Sequence, residues 1–115
     1  MNDCIFCRIV RGEIPADVVA RTDDAVAFRD LNPQAPVHVL VVPTRHLAAA
    51  RDAAGDDGAL LLGRTLQLAT RVAGELGLDA NGYRLVTNTG AEAGQSVFHL
   101  HVHLLGGRPM GWPPG

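Results

Sequence analysis

The sequence predicts an α+β domain built on an antiparallel sheet, and three observations carry that prediction. Only one long segment, Asp56 to Leu78, places apolar residues at helical spacing. About five short segments have the β-branched or alternating character of strands. Strands and helices do not alternate along the chain, as βαβ winding of a parallel sheet would require. The 115 residues suffice for one hydrophobic core and are too few for two, so residues 1–115 are expected to form a single domain.

Taken in order, Cys4 to Arg11 suits a short helical turn that Gly12 and Pro15 bring to an end. Val18 to Arg21 and Ala25 to Arg29 are strands joined by the turn Thr22-Asp23-Asp24. Asp30 to Pro36 is a rigid loop, punctuated by two prolines. Val37 to Val42 is a β-branched, nearly continuous apolar run of the kind a central strand shows. Within the long helix, Leu62, Leu66, Ala69, Val72, Ala73 and Leu76 form the expected buried stripe, with Asp56 or Asp57 as cap and Gly77 as terminator. Tyr83 to Thr87 is a further strand, Asn88 to Ser96 a glycine-containing loop, and Val97 to Leu105 the last strand, closed by Gly106-Gly107. The tail Met110 to Gly115 is too rich in proline and glycine to continue a helix or a sheet interior.

Composition removes several function classes. Apolar residues make up 47% and charged residues 19%, as in folded rather than disordered chains. The net charge of −2, with arginine supplying the whole basic count, offers no broad basic face for long nucleic acids. The longest apolar runs, Val39 to Val42 and Ala59 to Leu62, are far too short to span a membrane. Met1-Asn2-Asp3 is followed by neither a basic n-region nor a long apolar segment, so no secretory signal is expected and a cytoplasmic location is. In such a reducing compartment Cys4 and Cys7, spaced C-x2-C, suggest metal ligation or redox chemistry rather than a structural disulfide.

The strongest local feature is His99-Leu100-His101-Val102-His103. On a strand, residues at i, i+2 and i+4 share a face, so the three imidazoles are expected in a row about 6–7 Å apart. Leu100, Val102 and Leu104 would then point to the core. Histidine moves protons and attacks phosphorus at neutral pH, and it also binds zinc or iron. Local spacing alone leaves nucleophile and metal ligand nearly level.

Gln95 to Gly107 as a whole resembles the histidine-triad (HIT) motif, H-φ-H-φ-H-φ-φ. Cys4-Ile5-Phe6-Cys7 with Ile14-Pro15, and Phe28 through His38, are similar to the family's N-terminal and nucleotide-binding segments. The ending Trp112-Pro113-Pro114-Gly115 resembles the Hint branch. The resemblance implies a HIT-like fold whose sheet continues across a homodimer, and a purine nucleotide site in each subunit. The activity it implies is hydrolysis of purine nucleoside phosphoramidates (AMP- or GMP-like) to the monophosphate and an amine.

By the same resemblance His101 is the nucleophile, forming a nucleotidyl-histidine intermediate, and His103 donates to a non-bridging phosphate oxygen. His38 supports that cluster. Asp30 takes both ribose hydroxyls, and Phe6, Ile9, Phe28 and Leu31 form the slot for the base. Asn88, Gly90 and Gly94 lie where backbone N–H groups can approach an anion. The resemblance makes Asn88, Gly94, Gln95 and Ser96 contacts of phosphate or sugar, with Ser96 protonating the departing amine. Trp112 is implied to reach the partner subunit's site, and Gly111 departs from the bulkier polar residue often found before it.

Cys4, Cys7, His46 and His99 match a structural zinc site of prokaryotic relatives. If they bind zinc, His99 is a ligand and no proton donor. No organic cofactor is implied. Rival expectations are a dinucleoside polyphosphate hydrolase or nucleotidyl transferase, a zinc-stapled nucleotide-binding interaction protein with little turnover, and a metallohydrolase using the triad as ligands.

Overall fold

The computed structural model describes residues 4–115; Met1, Asn2 and Asp3, on which the leader argument turned, lie outside the described residues. Helix α1 spans Ile5–Val10, strands β1, β2 and β3 span Val18–Arg21, Ala25–Arg29 and Val37–Pro43, and helix α2 spans Gly55–Glu75. Strands β4 (Tyr83–Val86) and β5 (Val102–Gly106) complete a five-stranded sheet of order β1-β2-β3-β5-β4. Every neighbouring pair is antiparallel.

The sheet is covered on both faces, which explains why β2 and β3 are apolar at nearly every position. Ala25, Ala27, Val39, Val41, Val102 and Leu104 pack with Leu68, Ala69, Val72 and Ala73 of α2. Their alternates Val26, Phe28, Leu40 and Val42 pack with Phe6 and Ile9 of α1. The period of two therefore assigns even-numbered positions of β3, and odd-numbered positions of β5, to the α1 face. His38 and His103 both belong to it. Leu40 pairs with His103 across the ladder, and His38 pairs with Leu105, which makes His38 and His103 diagonal neighbours.

Three expectations need correction. The last strand begins at Val102 rather than Val97, so His99 and His101 precede it. Its ladder with β3 runs from Val37–Gly106 to Val41–Val102; continued in register it would set Val42 opposite His101 and then Pro43, which has no N–H to give, opposite Leu100. The preceding backbone bonds elsewhere: Leu100 N–H to the Leu47 carbonyl (2.6 Å), the Gln95 amide to the Val97 carbonyl, and Thr87 Oγ1 to the His101 carbonyl.

Second, the buried stripe of α2 is offset from the expected one. Leu66 is 43% exposed, whereas Thr65 and Leu68 are buried. Thr65 tolerates burial because its hydroxyl donates to the Leu61 carbonyl. Third, Ala54 occupies the cap of α2, and Asp56 and Asp57 lie in its first turn, where their charge opposes the helix dipole. Gly77, at φ +77°, ends the helix region as expected.

Candidate functional site

Three backbone groups decide what the histidines can do. His101 Nδ1–H donates to the His99 carbonyl oxygen at 2.7 Å, so Nε2 of that ring keeps its lone pair. Gln34 N–H donates to His38 Nδ1 at 3.0 Å, which places the His38 proton on Nε2. That Nε2–H faces His103 Nδ1 at 2.9 Å, so the proton of neutral His103 sits on Nε2. Asp30 Oδ2 is the more distant neighbour of His38, at 3.5 Å. The result is one imidazole offering an electron pair and another offering a proton. Their ring centroids are 5.1 Å apart.

Burial keeps His38 and His103 neutral. It is the main cause that lowers His38, against the opposing pull of Asp30. It lowers His103 to about 4, assisted by His101 and His38 and opposed by Asp30. His103 is therefore a neutral donor at pH 7. Its folded value lies below the ordinary 6.5, so the stability this contributes is complete above about pH 6.5 and is lost as pH falls toward 4. An imidazole NMR titration is expected to place the His103 midpoint near pH 4, and a midpoint near 6.5 would contradict this burial account.

Asp30, His38 and His103 stand close enough to resemble a metal-binding group. The Gln34 amide argues against that use, since it fixes the proton on the very His38 nitrogen that would have to ligate.

A cavity of about 290 Å³ opens beside the two rings. Its lining includes Phe6, Ile9, Phe28, Asp30, Leu31, Ser96, His101 and His103, all singled out in the sequence. Phe6 stands edge-on to His101 (5.1 Å between centroids) and to Phe28 (5.6 Å). Ile14, Leu40 and Val97 also line it and were missed, although Leu40 follows from the period of two starting at His38. His38 is not part of the lining and is in contact with His103 through its Nε2.

Asn88, Gly94, Gln95 and Trp112 are not part of the lining. The Gln95 side chain is engaged within its own loop, accepting from Gly90 N–H and donating to the Ala48 and Val97 carbonyls. These bonds tie Gln95 to the backbone on both sides of its loop. Trp112 is 84% exposed.

Behind the cavity, Cys4, Cys7, His46 and His99 form a group able to hold a metal ion. The Nδ1 atoms of His46 and His99 are 3.1 Å apart, and sulfur–nitrogen separations are 3.2 to 3.4 Å. Tetrahedral zinc with ordinary bond lengths separates nitrogen from nitrogen by about 3.3 Å and nitrogen from sulfur by about 3.6 Å, so the donor set is close to the right size. His99 Nε2–H donates to the Pro43 carbonyl at 2.9 Å, which aims the Nδ1 lone pair at the cluster. Burial, the largest cause, lowers His99 and favours the neutral ring a metal needs.

An antiparallel sheet carrying imidazoles of fixed orientation beside an apolar cavity defines a small α+β class suited to nucleophilic attack with a donor for the developing oxyanion. Comparison with known proteins names it. The HIT domain model matches residues 11–110, and the chain belongs to that family. It is 54% identical over 114 residues, 99% of this chain and 98% of the relative, to an uncharacterised HIT-like protein of Synechocystis. It is 43% identical to the purine nucleoside phosphoramidase of Escherichia coli K12, over 96% of this chain and 92% of that protein. The crystal structure of a HIT family hydrolase from Legionella pneumophila superposes with a TM-score of 0.94 at 50% identity, covering 98% of this chain and all of that one (100%).

Proposed function

We propose that this chain is a hydrolase of purine nucleoside 5′-phosphoramidates that acts through a nucleotidyl-His101 intermediate. The observation that carries the proposal is the Nδ1–H bond from His101 to the His99 carbonyl, which reserves Nε2 for attack. Nε2 bonds to phosphorus as the phosphorus–nitrogen bond to the amine breaks. The amine leaves with a proton from the Ser96 hydroxyl, which lies in the cavity lining and takes a proton back from the water that attacks in the second step. His103 Nε2–H donates to a non-bridging oxygen as negative charge develops on it in each transition state. Water then attacks the same phosphorus and regenerates His101, so two easier displacements replace one difficult one. Asp30 takes the ribose hydroxyls, and the base lies among Phe6, Ile9, Phe28 and Leu31.

Charge supports this substrate over dinucleoside polyphosphates. Arg29 is the basic side chain lining the cavity, and its guanidinium is 3.5 Å from the Asp17 carboxylate. Among the described residues nothing else cationic lines the cavity to balance a chain of phosphates, whereas a phosphoramidate monoester carries a single negative charge.

The assembly belongs to the same proposal. Strand β4 bonds only β5 among the described residues, leaving an edge where two sheets can join in a homodimer. Exposed Trp112 then serves the partner subunit's site. Zinc occupies the Cys2His2 group as a structural ion, and residues 1–115 act as one cytoplasmic domain. Among the described residues no helix is long and apolar enough to cross a membrane.

Adenosine 5′-phosphoramidate and diadenosine triphosphate, assayed side by side, test the substrate. AMP release from the first is expected to exceed turnover of the second by about 100-fold in kcat/KM. The reverse order would move the chain to the polyphosphate reading. Nucleotide binding without turnover of either would leave the interaction-protein reading.

A further inference from the structure

The loop before β3 delivers the amide that fixes the His38 tautomer, yet it has few ties of its own. Pro33 and Pro36 have no N–H to contribute. Within the loop, Asn32 N–H donates to Asp30 Oδ1 and Gln34 Nε2 to the Asn32 carbonyl. The outer tie comes from the turn after β5. Arg108 Nε and Nη2 both donate to the Gln34 carbonyl, at 3.3 and 3.0 Å, while Nη1 donates to the Pro109 carbonyl. A second contact accompanies this one. Gly107 adopts φ +91°, and a Cβ there would stand 2.8 Å from the Pro36 ring. The turn and the loop therefore fit closely, with a charged fork closing the junction.

We propose that Arg108 is a positioning residue for His103, acting through Gln34 and His38. Gln34 is held at its carbonyl by Arg108 and gives its N–H to His38 Nδ1. His38 Nε2–H then fixes His103 Nδ1 as an acceptor, which leaves His103 Nε2–H for the phosphate oxygen. Arg108 is exposed and touches no reacting atom. Its effect is to keep the amide of residue 34 within reach of the His38 ring. If the loop drifts, His38 loses the bond that forbids its other tautomer, and His103 Nδ1 then carries a proton and donates to His38 Nε2 where it should accept from it. A planar guanidinium suits the task because two of its donors converge on one oxygen, which a lysine ammonium does not reproduce.

The kinetic part rests on the phosphoramidase reading; the tautomer part does not. Arg108→Gln, Arg108→Lys and Gly107→Ala should be compared with the unaltered protein by nitrogen NMR of the imidazoles, steady-state kinetics and thermal melting. Arg108→Gln is expected to convert His38 and His103 from single tautomers into mixtures. It should lower kcat about tenfold with KM within about twofold, since the displaced group acts only on the transition state. Arg108→Lys should recover part of the loss. Gly107→Ala should mix the tautomers with Arg108 still present. Unchanged tautomers in Arg108→Gln would overturn the proposal, whether or not the melting temperature falls. Single tautomers that become mixed in a protein inactive on phosphoramidates would retain the positioning role and remove the substrate reading.

Discussion

His101→Ala is expected to lower kcat/KM for adenosine 5′-phosphoramidate by about three orders of magnitude or more, the scale of removing an activated nucleophile. The folded state should survive, because the ring is bound to the fold by one hydrogen bond to the His99 carbonyl and by edge contacts with Phe6 and His103. AMP affinity should change little. The cavity lining that receives base and ribose, Phe6, Ile9, Phe28, Leu31 and Asp30, lies on other elements. A loss concentrated in kcat with a nearly constant Kd is what separates a nucleophile from a binding group. Rapid quench of the unaltered enzyme into alkali, where a phosphorus–imidazole bond survives, should yield a nucleoside monophosphate adduct on a peptide containing His101. His101→Ala and His101→Gly should yield none. Turnover that survives both substitutions would reject His101 and leave direct attack by water, with His103 as the donor.

That prediction rests on features of unequal visibility in the sequence. The nearly continuous apolar run of β3 marked it as a central strand, and the side-chain period then determines which neighbours each of its residues meets on the two faces. The histidines of the triad were legible as chemistry for the same reason. Their difference in role was not, since it depends on the Pro43 carbonyl, the His99 carbonyl and the Gln34 amide, backbone groups that every sequence possesses. The early end of β5 had a signal in Pro43, but only the register reveals that Pro43 would face Leu100. Leu66 misled because helical periodicity marks an apolar side without saying how wide a sheet covers it. Arg108 carried no signal at all, as nothing local tells an arginine on a turn which distant carbonyl it will meet.

Removing metal is expected to lower the melting temperature by about 15 °C. A ligand bound at a thousandfold excess over its Kd contributes about 4 kcal/mol, and each kcal/mol moves a domain of this size by about 4 °C. Helix α1 concentrates that effect. Its six residues are too few to stand as a helix alone. Cys4 is both a prospective ligand and the helix cap, its sulfur accepting from Cys7 N–H at 3.3 Å. Between those cysteines lie Ile5 and Phe6, and Ile5, Phe6 and Ile9 all line the cavity.

Chelation, or Cys7→Ser, should therefore loosen the wall that receives the base, weakening AMP binding and raising KM about tenfold. His103 and His38 should suffer less, because they are fixed from β5 and β3. Metal analysis of protein purified without chelators should find about one zinc per chain. A metal-free protein that melts at the same temperature would dismiss the zinc staple. A chelated protein with intact AMP affinity and no kcat would place the metal in the chemistry and restore the metallohydrolase reading. A raised KM with kcat largely retained separates a staple from a catalyst, since α1 bears on binding and His101 on bond formation.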